Sequence, residues 1–198
     1  MKKILLISVL SAGSFMFAQT KPASPVTFGA KAGLNISFLG GASKAGFYGG
    51  GFVNIPVSSK LSIQPEILYN GLGAKSVIVP TVAEAASNPG NNDDVKLSLN
   101  YISVPVMAQY HISPGFYVEA GPQISFLIDS EVKYRSVSID GKKALDLRSI
   151  DYGVGAGAGY YFTSGIGIQA RYMAGIGNIS AGGPTNSVIQ IGLAYKFK

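Results

Sequence analysis

From Ser187 to Phe197 the chain alternates strictly, with Ile189, Ile191, Leu193, Tyr195 and Phe197 on one face and Val188, Gln190, Gly192, Ala194 and Lys196 on the other. Successive side chains of a strand point to opposite faces. Large apolar and aromatic residues on one side, with small or polar ones on the other, therefore describe a wall between two solvents: lipid outside and a crowded polar lumen inside. The same period marks eight candidate strands with turn signals between them: Val26–Leu39, Gly46–Pro56, Lys60–Gly73, Val95–Tyr110, Gly115–Asp129, Asp146–Phe162, Gly165–Ile176 and Asn186–Phe197.

The connections sort by length. Val57–Ser59, His111–Pro114 and Thr163–Ser164 are short, whereas Ala74–Asp94 and Ser130–Leu145 are long. Short turns thus gather at one end of the wall and long loops at the other, as in bacterial outer-membrane barrels, whose short turns are periplasmic; an even strand number then puts both termini in the periplasm. Strands of about 11 to 14 residues, tilted near 45°, climb roughly 26 to 33 Å, enough for an apolar band of about 25 Å.

The outward sets include Phe28, Leu34 and Ile36 in the first strand, Leu61, Ile63 and Ile67 in the third, and Ile166, Ile168 and Tyr172 in the seventh. Aromatics fall near strand ends, at Phe28, Phe38, Tyr69, Tyr110, Phe116, Tyr160, Tyr195 and Phe197, where interfacial girdles require them. The opposite faces carry Lys31, Gln64, Glu66, Glu119, Gln123, Asp151, Gln169, Arg171 and Gln190. Buried charges must be paired, so Lys31, Glu66, Glu119, Asp151 and Arg171 are expected to form a lumen network with the Arg171 fork as its hub. Inward glycines, Gly29, Gly33, Gly153, Gly155, Gly157 and Gly159, make room for long side chains in a narrow barrel.

Composition narrows the field further. With 47% hydrophobic and only 13% charged residues the chain is too apolar for disorder, and 26 glycines signal a need for small side chains. Lys2 and Lys3, the apolar run Ile4–Leu10 and the small residues up to Ala18 have the form of a secretory signal, dividing the chain into a leader over 1–18 and a barrel domain over 19–198. Losing Lys2 and Lys3 leaves 14 basic residues against 10 acidic, a charge of +4, scattered rather than gathered into the stripe that nucleic acid requires. Without cysteine there are no disulfides, thiolate metal sites or cysteine nucleophiles.

Other chemical signals are weak. Gly153–Ala158 fits G-x-G-x-x-A, yet the alternation continues into Tyr160, Tyr161 and Phe162 where a dinucleotide site needs a helix. The single histidine, His111, lies in a short turn, at the end opposite to that where acyl-transferring or proteolytic barrels place their catalytic groups, and is read as a solvated turn residue. Asn91, Asn92, Asp93 and Asp94 lack the spacing of a calcium loop. A lipocalin-like soluble barrel would invert the two faces. No catalytic residue, cofactor or metal site is expected.

The runs F-G-A-K-A-G-L-N (Phe28–Asn35), L-S-I-Q-P-E-I-L-Y (Leu61–Tyr69), Y-I-S-V-P-V (Tyr101–Val106), E-A-G-P-Q-I-S-F-L-I (Glu119–Ile128) and R-Y-M-A-G-I-G-N-I (Arg171–Ile179) resemble the PorT-like outer-membrane β-barrel family of the Bacteroidota. The resemblance implies an eight-stranded barrel like those of the OmpA and OmpX kind, often labelled a porin family protein. Two positions depart from that pattern: the C-terminal aromatic is the penultimate Phe197, and Ser103 stands where an acidic or amide residue is common. The expectation is an all-β, antiparallel, up-and-down transmembrane barrel of eight strands with a filled polar interior, monomeric and non-enzymatic. Its surroundings would be outer-membrane lipid and lipopolysaccharide, with delivery by the barrel assembly machinery. It would act through its long loops on a surface protein or polysaccharide, or else as a narrow passive channel.

Overall fold

The structure, a computed structural model, describes residues 25–39, 42–75, 96–134, 137–140, 148–178 and 185–197. The expected leader, nearly all of the first long loop with its segment Asn91–Asp94, and part of the second long loop lie outside them. Nine strands are described: β1 (Thr27–Leu39), β2 (Ala42–Pro56), β3 (Leu61–Lys75), β4 (Lys96–His111), β5 (Phe116–Tyr134), the short β6 (Val137–Asp140), β7 (Ile150–Tyr161), β8 (Ile166–Asn178) and β9 (Thr185–Lys196). The eight long ones pair antiparallel in the order β4-β3-β2-β1-β9-β8-β7-β5, and the β4–β5 pairing closes the ring. No helix among the described residues is long and apolar enough to cross a membrane; the strands cross instead.

Strand register fixes the shape. Stepping round the wall along opposed residues, from Phe28 through Val53, Pro65, Val106, Pro122, Val154, Ala174 and Ser187, arrives at Phe38, ten residues further along β1. With eight strands that stagger corresponds to a tilt of about 40° and an interior that side chains can fill. A register shift at Asn100/Tyr101 and another between Ala174 and Asn178 perturb the ladders toward the loop end.

Several boundaries at the loop end differ from the sequence expectation. The second strand begins at Ala42 rather than Gly46, and the one expected from Asp146 begins at Ile150. Ser130–Tyr134, expected to be loop, continues β5; Glu131–Lys133 stays paired with β4 while Glu131–Tyr134 also pairs with β6 on its other edge. Likewise Ala74 and Lys75 extend β3 against Leu97 and Lys96. The ladder outlasts the apolar alternation because backbone pairing does not need a lipid face.

The outer face is apolar: Leu34 is 66% exposed, Ile67 63% and Leu193 59% when lipid is not counted. Inside, Leu68, Tyr48, Tyr101, Tyr117, Met107 and Leu99 are buried with Arg171, Glu66, Gln64 and Gln109. The inward aromatics explain the glycines. A Cβ on Gly29 would strike the Phe52 ring, on Gly33 and Gly192 it would meet Tyr48, on Gly155 Met173, and on Gly159 the Tyr117 hydroxyl. Gly157 faces the Ala170 carbonyl and the Arg171 Cα and Cβ, not the guanidinium, so the small residues serve ring packing and close strand approach more than the long charges expected of them. Gly115 and Gly165, at φ +85° and +88°, end the β4–β5 and β7–β8 turns in the left-handed region where a side chain is strained.

Candidate functional site

Four of the five charges expected in the lumen meet at one level. Arg171, on β8, sends Nη1 to Glu66 Oε2 at 3.0 Å and Nη2 to Glu66 Oε1 at 2.9 Å, while its Nε donates to Glu119 Oε1 at 2.8 Å. Lys31 on β1 reaches Glu66 Oε1 at 2.8 Å and Gln169 Oε1 at 2.9 Å, with its ammonium 5.3 Å from the Phe52 ring centroid. All four side chains have no exposed surface. Two cations face two carboxylates, so the layer is neutral, and each ion is held by charge-assisted bonds of the short, strong kind.

Amides carry the network across the lumen. Gln64 donates to Glu66 at 2.8 Å and Gln109 to Glu119 at 2.9 Å. Asn54 Nδ2 lies within bonding distance of Gln109 Oε1, Ser62 Oγ and Gln64 Oε1, and Gln169 Nε2 donates to the Tyr48 hydroxyl at 2.9 Å. Toward the loop end a second cluster joins Asn35, Asn70 and Gln190, with Gln190 Nε2 2.9 Å from Asn70 Oδ1.

Asp151 stands apart from this layer. It is half-buried on β7, opposite Ser125, and borders a void of about 20 Å³ with Tyr101, Gln123 and Met173. No ion pair among the described residues joins it to Arg171 or Lys31. The alternation sets only the face of a side chain; its height, fixed by the stagger of the strands, keeps Asp151 nearer the loops. Gln123 is also only half-buried and donates to Ser125 at 3.0 Å.

The aromatics named from sequence lie on the outer wall, where Phe28, Phe38, Tyr110, Phe116, Tyr160, Tyr195 and Phe197 are exposed and Tyr69 is half-exposed. Neighbours pair edge to face, Tyr160 with Phe162 at 5.1 Å and Tyr195 with Phe197 at 5.7 Å. Near the loop end Phe47 tilts against Tyr69 at 5.6 Å. Phe47, Phe126 and Tyr152 also face outward; continuing the alternation through β5 and β7 would have found the last two. His111 differs from the solvated turn residue expected. Its Nε2 lies 3.4 Å from Ser62 Oγ and its ring centroid 5.9 Å from that of Tyr117, inside the mouth of the lumen. The stretch Gly153–Ala158 is mid-strand in β7, with no helix following it.

The family model for the outer membrane protein beta-barrel domain matches residues 17–181. This chain belongs to that family. The outer-membrane barrel is also similar in fold to the neisserial surface protein A (15% identity, TM-score 0.53), with 89% of this chain covering 100% of that one. It is similar to Ail, the attachment invasion locus protein of Yersinia pestis, at 12% identity and a TM-score of 0.50, with 87% of this chain covering 97% of that one. No curated protein matches it. As a member of its family, the outer-membrane barrel is an integral membrane protein whose apolar wall contacts lipid.

Proposed function

We propose that the protein is a monomeric, plugged, non-enzymatic barrel of the PorT-like branch of its family, inserted by the barrel assembly machinery into a membrane bearing lipopolysaccharide. In this reading a leader over 1–18 is removed, the short turns and both termini face the periplasm, and the β3–β4 and β5–β7 connections meet a surface protein or polysaccharide. One observation supports it: Lys31, Glu66, Glu119 and Arg171 form a neutral, ion-paired layer inside the barrel with no exposed side-chain surface. Each charge in the layer is already met by another, which leaves none free to coordinate a passing ion.

A narrow channel is the second reading, favoured by a cavity of about 460 Å³ that already opens the lumen at the turn end. Single-channel recording of the refolded protein in a planar bilayer separates the two. A silent bilayer, with folding verified by heat-dependent gel migration, supports the plug; reproducible steps whose ion selectivity changes in Arg171→Gln would replace it with the channel.

A further inference from the structure

The turn-end cavity has a chemistry of its own. Lys60, Lys196 and His111 line it, together with Thr27, Ser58 and Ser62, and no acidic residue does so among the described residues. Two of these lining residues lean on inward rings: His111 flanks Tyr117 at 5.9 Å, Tyr117 stacks on Tyr161 at 5.5 Å, and the Lys196 ammonium lies 4.0 Å from the Tyr161 ring centroid.

One charge is left unanswered. Lys196 is half-buried against the Tyr161 ring and has no carboxylate partner among the described residues, unlike Lys31, whose charge is met by Glu66. A cation partly withdrawn from water, at a mouth without acids among the described residues, is satisfied by an acceptor of negative charge.

The geometry points to a binding site for a phosphate-sized oxyanion at the turn-end mouth, held by Lys196 with Lys60 and His111 at its rim. The cavity exceeds such an ion several-fold in volume, so it has room for a phosphate group either free or carried on a lipid head. The site does not depend on whether the barrel is plugged, because it lies to one side of the ion-paired layer.

The test is titration of the full refolded protein in a phosphate-free maltoside detergent with inorganic phosphate, followed by calorimetry at constant ionic strength. Saturable binding is expected, weakened about tenfold in Lys196→Met and retained in Lys196→Arg, with Arg148→Gln at the opposite end unchanged. Heat-dependent gel migration checks that each variant folds, and Lys60→Ser provides a second, more exposed reduction of the site's charge. Repeating the titration in phospholipid nanodiscs identifies the source: loss of phosphate binding there means that a lipid head group fills the site, and persistence means a free anion. Absence of saturable binding in detergent, or equal binding by wild type and Lys196→Met, would overturn the assignment.

Discussion

Arg171 grips Glu66 through both terminal nitrogens, at 3.0 and 2.9 Å, and turns its remaining Nε to Glu119. The guanidinium thereby answers two carboxylates from two other strands. Arg171→Met removes one positive charge from the lumen and leaves two carboxylates facing Lys31 alone, a change expected to cost about 3–5 kcal/mol. Urea unfolding in detergent micelles measures it. Adding Glu66→Gln to that variant restores neutrality and should recover part of the loss; a double variant less stable than Arg171→Met would contradict the pairing.

Glycine substitutions should divide by face. Gly159→Ala drives a Cβ into the Tyr117 hydroxyl and should destabilise by about 1–3 kcal/mol. Tyr117→Phe in the same chain relieves part of that overlap. Gly51→Ala, whose Cβ faces outward and has the Gly29 carbonyl 3.7 Å away, should lie within about 0.5 kcal/mol of wild type. Midpoints of thermal unfolding compare the three.

Arginine placed on the wall should report depth in the bilayer. Leu34→Arg and Ile67→Arg, mid-strand and widely exposed, are expected to cost about 2–4 kcal/mol in lipid, and Phe28→Arg near the turn end about 0–1 kcal/mol. Equal losses at all three positions would mean that the wall does not face a membrane. Equilibrium folding into liposomes provides the comparison.

The β7–β8 turn depends on one residue. Gly165 holds φ +88°, so Gly165→Ala should cost about 1–2 kcal/mol through backbone strain. Gly115→Ala, at φ +85°, should cost more, because its Cβ also meets the Tyr161 carbonyl at 2.5 Å. Hydrogen exchange of the Phe162 amide, which donates to Ile166 at 2.8 Å, should quicken in Gly165→Ala and stay unchanged in Gly51→Ala.

Alternation made the wall legible because lipid and lumen impose opposite demands at every step. Leu193 and Tyr195 against Gln190 define a face without reference to any other strand. Lys31, Glu66, Glu119 and Arg171 were legible as inward for the same reason. What a single strand does not carry is height. Asp151 shares their face but not their level, because level depends on the stagger summed over all eight strands. Tyr48 and Tyr117 were hidden differently: β2 runs Phe47-Tyr48-Gly49-Gly50-Gly51-Phe52, and with aromatics on both faces its period has no sign. The hairpin of Glu131–Tyr134 with β6 was missed because pairing beyond the membrane needs no apolar period.

Chain order gives the ion-paired layer another meaning. Lys31, Glu66 and Glu119 belong to β1, β3 and β5, whereas Arg171, the partner of both carboxylates, belongs to β8, and β9 then joins β8 back to β1. A partly assembled sheet that lacks the last two strands therefore carries an unbalanced negative charge on the face destined to be dry. The charge is cancelled only by the strand that permits closure, so the interior rewards completion and penalises any stopping point before it.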